Sequence, residues 1–393
     1  MFSSRVPVDR QPNRLAAAGA RARSDGRTLI DLTATNPTVV GIEYPPGLLD
    51  ALAGPGARVY APVPLGLPAA REAVAGDYAR RGLHVAPAQI VLTASTSEAY
   101  SLLFKLLCRP SGDAVMVPVP SYPLFDHLTR LDGVEPVPYR LEYHGQWQVD
   151  LASVDNRWSN RVRAVLAVSP NNPTGSFLTS AEFEALDERC AAAGAALIVD
   201  EVFADYVLHP DGSGRGGAPP HAPRSVDALT FHLGGLSKSA GLPQVKLGWI
   251  AVEGPEALVR EALDRLELIC DTYLSVSTPV QAAARSLIAA GDSIRSQVLA
   301  RVTANYATLA SLVSRHSAAD LLHADAGWSA VIRVPSTQSE EDLAIALLEQ
   351  DGVRVHPGFF FDFPHEAFLV VSLLPRPDDF HEGMRRVLER AGA

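Results

Sequence analysis

Residues 164–201, AVLAVSPNNPTGSFLTSAEFEALDERCAAAGAALIVDE, predict a strand, a helix and a second strand in succession. The apolar runs Ala164–Ser169 and Ala196–Asp200 are short and uninterrupted, which is typical of strands buried on both faces. Ser180–Ala193 between them has a helical pattern. Two strands joined by a crossover helix form a parallel pair. This stretch therefore predicts an α/β fold built on a parallel sheet covered by helices.

The same alternation continues on both sides of this stretch. Further buried strands are predicted at Ile90–Leu92, Ala114–Val117, Ala228–His232 and Leu247–Val252. Helices are predicted at Ser97–Cys108, Tyr122–Leu131, Ala240–Leu242, Glu256–Leu268 and Thr278–Leu312. The C-terminal part has predicted strands at Ser329–Val334 and Phe368–Leu373 among helices, so we expect a second, smaller α+β unit there. Asp211–Pro223 predicts a surface loop.

Length, charge and cysteine content exclude several classes of protein. The 393 residues are enough for two domains or one large one, and the net charge of −10 provides no basic surface for nucleic acid or anionic lipid. No apolar run reaches the ~18 residues of a membrane helix, and Met1–Arg27 lacks the apolar core of a signal peptide. Cys108, Cys190 and Cys270 fit neither a disulfide framework nor a zinc site, so we expect a cytoplasmic protein without a metal.

Ligand sites in such sheets collect beyond the carboxyl ends of the strands, so the residues that follow each strand are the candidates for function. Ser95 and Glu98 have the spacing of a capping box, which favours an ordinary helix cap. The N–H groups and hydroxyls of Ser95, Thr96 and Ser97 would equally suit a phosphate. Tyr122, held between prolines, would either pack in the core or cover a planar ligand.

Two further strand ends carry an amide and a carboxylate. Asn171 and Asn172 lie in a segment rich in turn residues, which indicates either a tight turn or an amide held rigidly over a site. Asp200 and Glu201 end an apolar strand, where a carboxylate is either solvated or paired with a bound cationic group.

Lysine is rare in this chain, because Lys105, Lys238 and Lys246 are the only lysines among 34 basic residues. Lys105 lies in an amphipathic helix and is predicted to be on the surface. Lys238 follows a buried strand, although most lysines are simply solvated charges. Together the strand ends supply an anion site, an aromatic ring, an amide, a carboxylate and an amine. Pyridoxal 5'-phosphate needs this set.

The ordered motifs resemble those of the class I/II aminotransferases, which have the aspartate aminotransferase fold, fold type I of the pyridoxal phosphate enzymes. The residues that carry the resemblance are Leu32–Pro37, Tyr60–Pro62, Ser95–Glu98, Ser121–Pro123, Asn171–Gly175, Asp200–Glu201, Ser237–Lys238 and Ser372–Pro375. The resemblance implies a mostly parallel sheet of the seven-stranded type flanked by helices. It also implies a large cofactor-binding domain at residues 49–284, and a smaller α+β domain formed by residues 1–48 and 285–393.

The resemblance implies a role for each matching residue. Lys238 would form the Schiff base and then move a proton, and Asp200 would pair with the protonated ring nitrogen. Asn172 would bind the ring's O3′ atom, and Tyr122 would stack on the ring. The phosphate would be held by Ser95, Thr96, Ser97, Ser237, Lys246 and, from a neighbouring subunit, Tyr60. This last residue implies a homodimer with shared active sites. Thr35, Asn172 and Arg376 would contact the substrate.

Three positions depart from the family pattern. Phe203 replaces the usual tyrosine, which predicts a raised pKa for the cofactor's imine unless Tyr206 takes over. Lys246 replaces an arginine, so the charge persists without the bidentate geometry. Val370 replaces the arginine that usually holds the substrate α-carboxylate, and Arg376 is a candidate replacement.

We therefore expect a cytoplasmic, homodimeric, pyridoxal phosphate-dependent aminotransferase that moves an amino group from an amino donor to a keto acid by a ping-pong mechanism. A pyridoxal phosphate-dependent lyase or decarboxylase on the same fold stays an alternative, because the same residues serve both reactions. A cofactor-sensing regulatory domain is disfavoured by the lack of a basic DNA-binding patch. A nicotinamide-dependent dehydrogenase is disfavoured because no G-x-G-x-x-G follows an early strand.

Overall fold

The computed structural model describes residues 2–7, 11–209, 226–274 and 276–392, and the predicted surface loop Asp211–Pro223 lies outside the described residues. The strands are β1 Ile30–Asp31, β2 Ile90–Thr93, β3 Ala114–Val119, β4 Glu135–Tyr143, β5 Trp147–Val149, β6 Val162–Val168, β7 Ala196–Asp200, β8 Leu229–Gly235, β9 Gly248–Glu253, β10 Asp320–Leu321, β11 Ser329–Arg333, β12 Val353–Arg354, β13 His356–Pro357 and β14 Phe368–Ser372.

The α-helices are α1 Arg14–Ser24, α2 Pro68–Arg80, α3 Thr96–Leu107, α4 Phe125–Asp132, α5 Leu151–Arg157, α6 Ser180–Ala193, α7 Leu236–Ser239, α8 Glu256–Tyr273, α9 Thr278–Val313, α10 Glu340–Ala346 and α11 Pro377–Ala391. A short 3-10 turn, Gly358–Phe361, follows β13. None of the described helices is long and apolar enough to cross a membrane.

The large sheet has the strand order β2-β9-β8-β7-β6-β3-β4-β5. The pairs formed by β3, β4, β6, β7 and β8 are parallel, whereas β9 is antiparallel to both of its neighbours and β5 is antiparallel to β4. This confirms the predicted α/β class with a mostly parallel sheet. The three-residue strand β5 adds an eighth strand to the expected seven at one edge.

The central strands are apolar at successive positions because helices cover both faces of the sheet. In β6, Ala164, Leu166 and Val168 pack in one apolar cluster, and Val165 and Ala167 pack in another. Strand β4, next to the edge strand β5, escapes sequence prediction because seven of its nine residues are partly or fully exposed, and charged residues and prolines interrupt its apolar pattern. Burial on two faces therefore explains why the central strands were the predictable ones.

The described residues also form two smaller sheets. One is antiparallel with the order β10-β11-β14-β13, and the other pairs β1 near the N-terminus with β12 near the C-terminus. Pairing between the two ends of the chain agrees with a small unit made from both. The predicted domain boundary between residues 284 and 285 falls inside the long helix α9, and the domain division stays a prediction.

Two predicted helices begin at other residues. The helix predicted at Ala240–Leu242 is instead α7, which begins at Leu236 and includes Lys238, and Gly241 with a φ of +61° lies just beyond it. The helix predicted from Tyr122 begins at Phe125, so Tyr122 precedes α4. In both places the predicted site residue, Lys238 or Tyr122, is the third residue after a strand.

Candidate active site

The carboxylate of Asp200 is buried at the carboxyl end of β7. Its Oδ2 atom accepts a hydrogen bond from the Tyr100 hydroxyl at 2.8 Å, and its Oδ1 atom accepts one from the Val202 N–H at 3.1 Å. Burial raises the pKa of Asp200 to about 6, although both hydrogen bonds oppose this shift. A cationic partner would stabilise the charged form of this buried carboxylate.

The amine of Lys238 lies beyond the end of β8, the parallel neighbour of β7. Its Nζ atom is 5.1 Å from the centre of the Trp328 ring and 5.8 Å from that of Phe203. Burial lowers the pKa of the Lys238 amine, and the charge of Asp200 opposes the shift. A lowered pKa increases the neutral fraction of the amine, which is the form that attacks a carbonyl carbon.

The two neighbouring asparagines have different surroundings. Asn171 is buried, and its side chain binds Pro120, Thr174 and Ser121 at 2.7–3.1 Å. The Asn172 side chain is only partly buried, and its Oδ1 atom lies 3.4 Å from the Ser329 hydroxyl. Asn171 therefore fixes the turn, which leaves Asn172 as the amide at the site.

The N-terminus of α3 is a candidate anion site. Ser95 caps the helix, since its hydroxyl accepts the Glu98 N–H at 3.1 Å. The Glu98 carboxylate accepts the N–H of Ala94 rather than that of Ser95, so the capping box is incomplete. The N–H groups of Thr96 and Ser97, the first two residues of the helix, have no intrahelical partner and suit a phosphate.

Ser237 follows β8 and Lys246 precedes β9, two neighbouring strands of the large sheet. Ser237 is partly buried next to Lys238, and Lys246 is exposed with a φ of +62° just before β9. A Cβ atom on Gly248 would lie only 3.0 Å from Thr93 Oγ1 and 3.1 Å from the Ser95 carbonyl carbon. Glycine there lets β9 lie directly against the start of α3.

Aromatic side chains surround the amine and the carboxylate. Tyr122 packs edge-on against Phe125 with ring centres 5.7 Å apart, and burial and the nearby charge of Asp200 raise its pKa. Phe203 is buried against Trp328. The Tyr206 hydroxyl donates to the backbone carbonyl of Lys238, so it does not replace the hydroxyl that Phe203 lacks.

Three other predicted site residues are exposed. Tyr60 is 74% exposed and borders a cavity of 280 Å³ with Leu274 and Gln281. Arg376 is exposed and its guanidinium packs on Gly41, so it does not replace the arginine absent at position 370. Thr35 is exposed, next to a residue whose carbonyl accepts the Ser372 hydroxyl.

The predicted site residues did not include Tyr100, Trp328 or Ser329. Tyr100 lies on the apolar face of α3, where its sequence position indicates only a packing role. Trp328 and Ser329 come from the distant C-terminal part of the chain. No local pattern signals that either would meet Lys238 or Asn172, since both contacts are made between separate sheets.

Comparison with known proteins identifies the family. The model of aminotransferase class I and II matches residues 28–386. The chain belongs to this family and is an aminotransferase. Its relatives include the glutamate-pyruvate aminotransferase AlaA of Escherichia coli, 26% identical over 396 residues that cover 96% of this chain and 92% of that protein. AlaA of Haemophilus influenzae is 24% identical, covering 98% and 94% of the two chains.

Solved structures agree on the fold of this aminotransferase. Alanine aminotransferase from Pyrococcus furiosus superposes with a TM-score of 0.87 at 22% identity, covering 99% of both chains. Aspartate aminotransferase from Thermotoga maritima gives a TM-score of 0.83 at 20% identity, again covering 99% of both chains. At this level of identity the similarity establishes the aspartate aminotransferase fold.

Members of this family use pyridoxal 5'-phosphate, and the residues of this chain fit it. The two N–H groups at the start of α3 suit its phosphate, and the buried Asp200 carboxylate suits a protonated ring nitrogen. The buried amine of Lys238, with its lowered pKa, is suited to attack the carbonyl carbon of the cofactor. These three groups come from the ends of β2, β7 and β8, which lie within one sheet.

Proposed function

We propose that this aminotransferase uses pyridoxal 5'-phosphate to move an amino group from an amino donor to a keto acid by a ping-pong mechanism at one site. The observation that carries the proposal is the pair formed by Lys238 and Asp200. They lie at the ends of adjacent parallel strands. Burial raises the pKa of Asp200 and lowers that of Lys238, so it favours the neutral form of each group. Bound pyridoxal phosphate would supply an aldehyde carbon for the amine and a ring that accepts electrons.

Each residue of the proposed site has a distinct task. Lys238 would hold the cofactor and then move a proton at the reacting carbon of the substrate. Asp200 would keep the ring nitrogen protonated, and Tyr100 would orient the Asp200 carboxylate through its 2.8 Å hydrogen bond. Asn172 would bind the ring oxygen, and Tyr122 would cover the ring.

The phosphate would be held by the N–H groups and hydroxyls of Thr96 and Ser97, together with Ser237 and Lys246. Ser95 would act mainly as the helix cap, since its hydroxyl already accepts a hydrogen bond. Lys246 contributes a point charge without the two parallel hydrogen bonds of a guanidinium. We therefore expect phosphate affinity to depend more on the start of α3 than on the side chain of Lys246.

We further propose that the chain acts as a homodimer in which the exposed Tyr60 reaches the phosphate in the neighbouring subunit. An apolar surface around Tyr60 supports this proposal, because such surfaces often mark protein interfaces. Tyr60, Val63 and Leu274 border one cavity and are 74%, 37% and 55% exposed. The free cysteines Cys108, Cys190 and Cys270 support a cytoplasmic location.

A spectroscopic half-reaction tests the proposal. The purified protein with pyridoxal phosphate should absorb visible light, and an amino donor should convert this band to that of the amine form. Glutamate and alanine are the first donors to test, since the relatives are named for glutamate, pyruvate and alanine. Lys238→Ala should remove the covalently attached chromophore.

Lys105→Ala is the matched control, since Lys105 is exposed and forms an ion pair with Asp132 on the surface. It should leave the band unchanged. Persistence of the covalent band in Lys238→Ala would refute the assignment of the amine. Release of carbon dioxide from the donor, without formation of the amine form, would instead support the lyase or decarboxylase.

A further inference from the structure

The small-domain wall of the site has no arginine at the expected place. Val370 on β14 is paired with Val331 on β11 and is buried with Phe361 and Phe363. On the same face, Ser329 lies 3.4 Å from Asn172, because alternate residues of a strand share a face. Strands β11 and β14 therefore present uncharged side chains to the site.

His356 lies directly across from Val370 on the neighbouring strand β13. Opposed residues of an antiparallel pair project to the same face, so the imidazole lies beside the position of the missing arginine. Its ring centre is 5.7 Å from those of Phe360 and Phe361, and the carbonyl of Phe361 accepts the N–H of Ser121, next to Tyr122. Unlike Val370, His356 keeps part of its surface accessible.

The charged groups near His356 are Arg354 and Asp31. Burial, together with the charge of Arg354, lowers the pKa of His356 to about 4, and Asp31 opposes the shift. Arg354 contacts Asp31 at 3.5 Å, and both side chains are about 40% exposed, so this ion pair is weak. The contacts with Phe360, Phe361 and Val370 are apolar. Glu340 on α10, which packs against β13, is already engaged, since its carboxylate accepts the N–H groups of Phe359 and Phe368. An anion arriving here would be the first close hydrogen-bonding partner of opposite charge for the imidazole.

We propose that His356 binds the carboxylate of the substrate in place of the arginine absent at position 370. The inference rests on the proposed function, since it names a residue of the same site. Binding of a carboxylate would stabilise the imidazolium form, so the imidazole would take up one proton as the anion binds. Affinity for carboxylates would then fall as the pH rises, because the proton becomes harder to acquire. An arginine, which is always charged, would give no such dependence.

Calorimetry on the enzyme loaded with pyridoxal phosphate tests this proposal without turnover. Propanoate is the probe, and propanamide is its neutral counterpart. Propanoate titrated in two buffers of different ionisation enthalpy should bind with uptake of about one proton at neutral pH. Propanamide should bind without proton uptake. His356→Phe should weaken propanoate binding about tenfold or more, which corresponds to losing a hydrogen bond to a charged group. It should also abolish the proton uptake.

Two variants serve as controls. His84→Phe makes the same substitution at an exposed position on the far connection between α2 and β2, and it should leave propanoate binding unchanged. Val370→Arg in the His356→Phe background should restore propanoate affinity without restoring proton uptake. Melting temperatures of all variants show whether each one folds.

Propanoate binding that is independent of His356, or that takes up no proton, would overturn the inference. The half-reaction with amino donors is measured separately. If donors convert the visible band while His356→Phe leaves carboxylate affinity intact, the inference fails and the proposed function stands. If propanoate binds with proton uptake but no donor converts the band, the proposed function fails and the carboxylate site stands.

Discussion

The hydroxyl of Tyr206 donates a hydrogen bond to the backbone carbonyl of Lys238, and this bond ties Tyr206 to helix α7. Tyr206 is fully buried and packs edge-on against Trp328, whose ring lies 5.1 Å from the Lys238 amine. One aromatic residue therefore fixes the backbone of Lys238, and a second borders its side chain. The Tyr206 hydroxyl is therefore engaged with the backbone of Lys238.

Tyr206→Phe should lower the free energy of unfolding by about 1 kcal/mol, because the Lys238 carbonyl loses one of its two donors and keeps the N–H of Gly241. It should also reduce kcat, since α7 would be held less firmly. Urea unfolding and half-reaction rates measure the two effects. Tyr44→Phe is a matched control, because the Tyr44 hydroxyl donates to the carbonyl of Gly241 at 2.6 Å in the same connection. Tyr44 is less buried than Tyr206, so water can replace its hydroxyl. Tyr44→Phe should therefore lower the free energy of unfolding by a smaller amount. Equal effects of the two variants on kcat would contradict the anchoring role.

Phe203→Tyr should lower the pKa at which the visible band of the enzyme changes. Phe203 lies near the amine, with its ring centre 5.8 Å from Lys238 Nζ, and offers no hydroxyl. A tyrosine hydroxyl here would stabilise the negative ring oxygen and so reduce its hold on the imine proton. A pH titration of the absorbance measures the shift. An unchanged pKa would contradict the explanation for Phe203.

Asp200→Asn should stabilise the cofactor-free protein above pH 6 and weaken its binding of pyridoxal phosphate. Burial raises the pKa of Asp200 to about 6 in the folded protein, so the folded state binds the proton more tightly than the unfolded state. The contribution of the protonated Asp200 to the stability of the folded state is fully present below pH 4, and it is lost as the pH rises through about 6. Two pKa units correspond to about 3 kcal/mol as an upper limit.

Urea unfolding between pH 4 and pH 8, with and without pyridoxal phosphate, measures both effects of Asp200→Asn. The Tyr100 hydroxyl can accept from an amide as well as donate to one, so the substitution leaves that contact possible. A stability difference that stayed constant with pH would show that the ionisation of Asp200 is not its cause.

Gly175→Ala should destabilise the protein more than Gly194→Ala, although both glycines have positive φ angles of +70° and +63°. A Cβ atom on Gly175 would lie 2.5 Å from the backbone oxygen of Ala326, whereas nothing lies within 4 Å of one on Gly194. Gly194→Ala should therefore cost only the left-handed strain of about 1–2 kcal/mol. Gly175→Ala should also weaken cofactor binding, because it displaces the turn that carries Asn172. Thermal melting and cofactor titration compare the two variants, and equal melting temperatures would contradict the predicted collision.

Several features of the fold and site were accessible from the sequence because they depend on short-range patterns. Strand β7 and helix α6 have the predicted bounds, since an uninterrupted apolar run and a capped helix are local signals. The α/β class follows from their alternation. Lys238, Asp200 and Asn172 could be chosen as candidates because polar residues at the ends of buried strands are chemically conspicuous. In the structure they lie at or just beyond the carboxyl ends of β8, β7 and β6, which are adjacent parallel strands and so end on the same side of the sheet.

Other features were decided by packing between segments far apart in the chain. Arg376 and Tyr206 have suitable side chains, yet one packs on Gly41 and the other donates to the Lys238 carbonyl. Trp328 meets Lys238, and His356 lies across from Val370, only because the strands of the small sheet adopt one register. Register depends on the pairing and burial of whole strands, so a local pattern does not specify it. The sequence by itself determined which chemical groups this aminotransferase has at its strand ends. Only the tertiary structure decided which of the remaining side chains reach them.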